Sequence, residues 1–133
     1  VQPYTEWLAG FLAARVAEDK ARAEGPPGWK LEHWTAVQYK TGTLSGREWR
    51  VDAEPRCVVD QAARDDALHI AAYDPARALA DAELKQLILD RHPPKPLRYV
   101  EADRCPRCAM MWPCAEVRAL ALVYSAHPDY RAA

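Results

Sequence analysis

This chain of 133 residues lacks the features that would assign a function directly. No apolar run is long enough to cross a bilayer, because charges interrupt every helical segment, and Val1-Gln2-Pro3-Tyr4 opens on no basic leader. The expectation is a cytoplasmic protein with no transmembrane association. No sign of charge dominates either. Eighteen Lys and Arg stand against 19 Asp and Glu, which excludes a wholesale basic nucleic-acid binder and an acidic tail but permits a local patch. Glycine is scarce, at five residues, and no phosphate-binding loop, serine elbow or dinucleotide fingerprint is present. No glutamate sits with two histidines at metallopeptidase spacing. The sequence therefore leans away from an enzyme; a zinc hydrolase or a thiol redox protein is the form an enzyme would take.

What is present suits one small domain, residues 1–133, with an N-terminal helix and short sheet over 1–59 and a helical, metal-binding part over 60–133. Tyr4, Trp7, Leu8, Phe11, Leu12 and Val16 recur at spacings of three and four, the stripe of an amphipathic helix whose polar face carries Arg15, Glu18, Asp19, Arg22 and Glu24. Gly25-Pro26-Pro27-Gly28 ends it.

From Trp29 to Val59, short aromatic and β-branched runs are separated by Thr41-Gly42-Thr43, Ser45-Gly46 and Glu54-Pro55, which predicts three or four antiparallel strands. Trp29, Leu31, Trp34 to Tyr39, Trp49, Val51 and Cys57 to Val59 are expected on the covered face, and Lys30, Glu32, Lys40, Arg47 and Arg50 outside. Trp34, Tyr39 and Trp49 among these cations also have the composition of a base-stacking surface, though core packing is the favoured use.

Asp60 is placed to cap a helix over 61–72, and Asp74-Pro75 to open another over 75–91. Asp65 and His69 share a face of the first, a local helix pair rather than a catalytic one. A last helix is expected over 114–126. The fold class is thus α+β: a small antiparallel sheet with about four helices.

The chemistry concentrates between the last two helices, where His92-Pro93-Pro94-Lys95-Pro96 forces an extended connection into Arg104-Cys105-Pro106-Arg107-Cys108. Two thiolates separated by two residues can grip one zinc ion, and Cys114 adds a third soft donor. His127 is excluded as the fourth if the helix after Cys114 is continuous, since it then lies roughly 20 Å along the axis. His92 is the preferred fourth ligand, with Cys57 and His69 as alternatives; His33 reads as an exposed strand residue, and His127 as a helix-end residue beside Tyr124 and Tyr130. A zinc knuckle would staple a segment poor in apolar side chains. Protein is the expected partner, and nucleic acid through Arg98, Arg104, Arg107 and Arg118 the alternative.

Several phrases resemble a known family: Asp66-Ala67-Leu68-His69-Ile70-Ala71, Asp74-Pro75-Ala76-Arg77, Cys105 and Cys108, Pro113-Cys114, Ala119-Leu120-Ala121 and His127-Pro128-Asp129-Tyr130-Arg131. They are similar to those of small uncharacterised proteins encoded by actinomycetes and their phages. The resemblance covers most of the chain and implies a common fold and a phage or prophage connection, with no activity attached. Cys57 lies outside these phrases, which weakens it as a ligand, whereas His69, His92 and His127 lie within or between them.

Overall fold

A computed structural model describes residues 3–25, 33–40, 47–53, 56–99 and 102–132. Trp29, Lys30, Leu31, Glu32 and the separators at 41–46 and 54–55 lie outside the described residues, as do the side chains of Lys40 and Arg47. The described elements are α1 (Pro3–Glu24), β1 (Thr35–Lys40), β2 (Arg47–Ala53), β3 (Arg56–Ala62), α2 (Arg64–Ala72), α3 (Pro75–Arg91), β4 (Lys95–Pro96), β5 (Asp103–Arg104) and α4 (Ala115–Val123). This is a small α+β fold with two antiparallel sheets, β1-β2-β3 and β4-β5, and four helices among the described residues. None of these helices is long and apolar enough to cross a membrane. Two compact units, Val1–Lys20 with Asp81–Ala133 and Ala21–Ala80, divide the chain within α1 and α3.

In the first unit the predicted stripe of α1 is the core. Leu8, Phe11, Leu12 and Val16 are buried, and the first three cluster with Trp112, Val117, Leu120 and Ala121. Removing such side chains from water is the main driving term, at about 1.5–3 kcal/mol each. Part of the polar face of α1 meets the protein itself: Arg15, Glu18 and Asp19 are half-buried, while Arg22 and Glu24 are exposed. Asp19 accepts hydrogen bonds from Lys85 Nζ at 2.7 Å and from the Tyr124 hydroxyl at 2.6 Å, and burial together with that carboxylate pushes the Tyr124 hydroxyl well above its ordinary range. Arg15 turns inward to donate to the His127 imidazole and lies over the Phe11 ring. α1 ends as its glycine requires: Gly25 takes the left-handed conformation (φ 67°) and donates to the Ala21 carbonyl.

In the second unit β2 pairs with both neighbours, with bulges near Val51. Val51 and Ala53 are buried. Cys57 is exposed, not covered. Asp60 does not cap α2 but stays in β3 and accepts from the Tyr39 hydroxyl at 2.8 Å, raising that hydroxyl's pKa to about 12. The strand therefore runs to Ala62, three residues beyond the Val59 that local propensity suggested, and α2 starts at Arg64 with Ala63 before it and no side-chain cap. Asp65 pairs with Arg64 rather than His69, whose ring packs on Tyr73 at 4.9 Å. The sheet aromatics Trp34, Tyr39 and Trp49 are half-buried, with Arg50 over the Tyr39 ring and Arg64 over the Trp49 ring.

Asp74 performs its predicted task. Its Oδ1 accepts from the Arg77 amide at 2.8 Å at the start of α3, and its Oδ2 from the Trp34 amide at 3.3 Å. Burial raises the Asp74 pKa, but these amides and His33 outweigh it and hold the carboxyl below its usual range.

Candidate metal centre

Three elements of the first unit deliver the candidate ligands. α3 continues to Arg91, and the His92 amide donates to the carbonyls of Ile88 and Leu89, so His92 rides on the end of the helix. The Trp112 indole nitrogen donates to the His92 carbonyl at 2.9 Å, tying this end to the far side of the knuckle.

The knuckle is a small hairpin. β5 carries Asp103 and Arg104, Arg104 bridges to Met111, and the Cys105 amide donates to the Met110 carbonyl at 2.8 Å. Between them Ala109 adopts φ 57°, the left-handed turn that brings the chain back, while its amide donates to the Cys105 carbonyl and its carbonyl accepts from Arg104 Nε. A cis Trp112-Pro113 bond then leads to Cys114 immediately before α4, where the Arg118 amide donates to the Cys114 carbonyl.

These paths bring His92, Cys105, Cys108 and Cys114 together, with one ligand atom from each and all four within 4.8 Å of one another. His92 Nδ1 lies 3.4 Å from the sulfurs of Cys105 and Cys108 and 3.5 Å from that of Cys114. Cys105 and Cys114 are buried within the hydrophobic core, and Cys108 is half-buried against it. Such a cluster of one imidazole and three thiols can chelate a metal ion such as zinc.

The electrostatics suit a cation. Burial raises the Cys105 thiol, yet the amides of Cys108 and Arg107 and its contact with His92 bring it down to about 7. Burial and then the Glu116 carboxylate push Cys108 up to about 12, and burial also raises Cys114. Three adjacent sulfurs cannot all ionise cheaply without a positive centre between them.

Cys57 and His69 are not among the clustered ligand atoms, and His127 joins the aromatic packing at Phe11, at 5.6 Å between rings. His33 is an exposed partner of Asp74. Of the arginines singled out for nucleic acid, Arg104 and Arg98 line one cavity and Arg118 another. Sequence reasoning missed Glu116, whose Oε2 accepts from the Cys108 thiol at 3.3 Å; its place two residues after Cys114, in the first turn of α4, was the available signal.

Fold and site together define a small α+β protein of unknown function with a candidate metal-binding His/Cys cluster. More particularly, the chain belongs to DUF6221, a family of unknown function, whose sequence profile matches residues 5–133. No curated protein and no solved structure matches it.

Proposed function

We propose that His92, Cys105, Cys108 and Cys114 hold one structural zinc ion, and that the protein is a zinc-stapled interaction module rather than an enzyme. The observation that carries this reading is the spacing of the donors. Around an ion with sulfur at about 2.3 Å and nitrogen at about 2.05 Å, each sulfur–nitrogen edge of a tetrahedron is about 3.6 Å. The three sulfur–nitrogen distances are 3.4, 3.4 and 3.5 Å. Soft thiolates select zinc over magnesium or calcium, and four protein donors leave no position for a reactive water, which favours a structural over a hydrolytic role. The resemblance to small proteins of actinomycetes and their phages is the ground for proposing a phage or host-regulatory setting.

The test is metal content. Purified protein is expected to carry one zinc per chain with Cys105, Cys108 and Cys114 protected from thiol reagents until a chelator is added. Cys108→Ser should lose the metal, whereas Cys57→Ser should keep it. Metal-free protein with freely reacting thiols, or zinc loss in Cys57→Ser alone, overturns the assignment.

A further inference from the structure

The two shortest strands set two cations against each other, although one of them, Arg104, also donates through Nε to the Ala109 carbonyl. In the β4–β5 register Lys95 stands directly opposite Arg104. Side chains directly opposite across an antiparallel pair share a face, and like charges in that position destabilise it. Here the pair makes up half of a sheet of two residues per strand, so the repulsion is not diluted by a long ladder.

A third cation joins them. Arg98 lines the same cavity of about 450 Å³ as Lys95 and Arg104, together with Pro96, Leu97 and Pro106. All three cationic residues are exposed, and no carboxylate among the described residues lines this cavity. Next to Arg98, in the turn joining the strands, Tyr99 is 94% exposed. Elsewhere in the chain, aromatic rings carry the protein's own cations: Arg50 on Tyr39, Arg64 on Trp49, Arg77 on Tyr73, Lys85 on Tyr124 and Arg131 on Trp7. Among the described residues no such cation covers Tyr99.

We propose that this face of the hairpin binds single-stranded nucleic acid, with phosphates held by Lys95, Arg98 and Arg104 and an unstacked base on Tyr99. Converging cations answer the repeating charge of a phosphate backbone, and a bare aromatic ring answers the face of a base, which a duplex keeps inside its stack. The phosphate relieves the Lys95–Arg104 repulsion on binding. This deepens the reading of the protein as an interaction module and rests on it, because the hairpin continues into the knuckle.

The experiment is fluorescence anisotropy of zinc-loaded protein with a labelled single-stranded oligonucleotide, with zinc content measured for every variant. Three neutralised phosphates on a single strand give a log–log salt slope of about −2, so binding should weaken roughly 20-fold between 50 and 200 mM salt. Tyr99→Ala should weaken it about tenfold, and Tyr99→Phe should not. Lys95→Glu combined with Arg98→Gln should abolish retention while leaving the melting temperature unchanged or raised, since the introduced carboxylate would face Arg104 with opposite charge. That separates a binding role from a structural one.

The proposal is overturned if the wild type shows no salt-dependent retention, or if the double variant binds as the wild type does. It is also overturned if a duplex or heparin binds equally well while Tyr99→Ala has no effect. Zinc-loaded protein that ignores the oligonucleotide sinks this proposal alone; zinc-free protein that still binds through these residues sinks the metal assignment alone.

Discussion

At the scale of single residues, the knuckle depends on a conformation its sequence does not advertise. Ala109 turns the chain back at φ 57°, a region where a Cβ costs about 1–2 kcal/mol and where glycine is the usual occupant. The turn is held because the Ala109 amide and carbonyl are both engaged, by the Cys105 carbonyl and by Arg104 Nε. A β-branched side chain adds crowding that these two bonds do not offset. Ala109→Val is expected to lower stability by about 1–2 kcal/mol and to speed zinc loss to a chelator, while Ala109→Gly retains the metal as well as the wild type. Equal retention by all three proteins would show that the turn does not set the site.

At the scale of elements, α2 and α3 begin differently and should respond differently. α2 has Ala63 before its first residue and no side-chain cap, whereas α3 has Asp74 bonded to the Arg77 amide. Replacing Asp74 with alanine should cost about 1 kcal/mol in a denaturation experiment. The pH dependence follows from the depressed pKa of Asp74. A carboxyl whose folded value lies below its unfolded value stabilises fully above the unfolded value, and that contribution disappears as pH falls through the folded one. The stability gap between wild type and Asp74→Asn should therefore be constant near neutrality and close below about pH 4. A gap that instead widens on acidification would contradict the assignment of Asp74 as an ionised cap.

At the scale of the whole molecule, the zinc assignment makes the two compact units behave differently on metal removal. Among the described residues, the connection from Pro93 to Pro113 places few apolar side chains in the core besides Trp112 and the cysteines, so coordination of the proposed zinc would substitute there for hydrophobic burial. Adding a chelator should speed tryptic cleavage after Arg104 and Arg107 by at least about tenfold, in keeping with the loss of roughly 1.4 kcal/mol or more of local protection. Cleavage after the exposed Arg64, in the other unit, should not change. Uniform acceleration at all three positions would mean that the metal holds the entire fold rather than its own segment.

Sequence alone determined what depends on neighbours along the chain. The apolar stripe from Tyr4 to Val16, the stop at Gly25, the Asp74-Pro75 start of α3 and the Cys105/Cys108 spacing were legible because helical period, backbone freedom, capping and a two-residue thiol spacing are local properties. Tertiary structure decided what depends on distant partners. Asp60 is as good a cap as Asp74 by residue type, but β3 pairs with β2 past it as far as Ala62, and its carboxylate accepts from the Tyr39 hydroxyl across the sheet instead. Helical period puts Arg15 and Asp19 on the polar face of α1 but names no partner for them; the chain's last segment supplies His127 and Tyr124. His92, His69 and Cys57 have ligand chemistry in common, and no spacing rule separates them. Only the course of α3 and the hairpin after it sets the His92 imidazole among three sulfurs, because coordination needs atoms at one point in space and sequence distance does not fix where a folded chain returns.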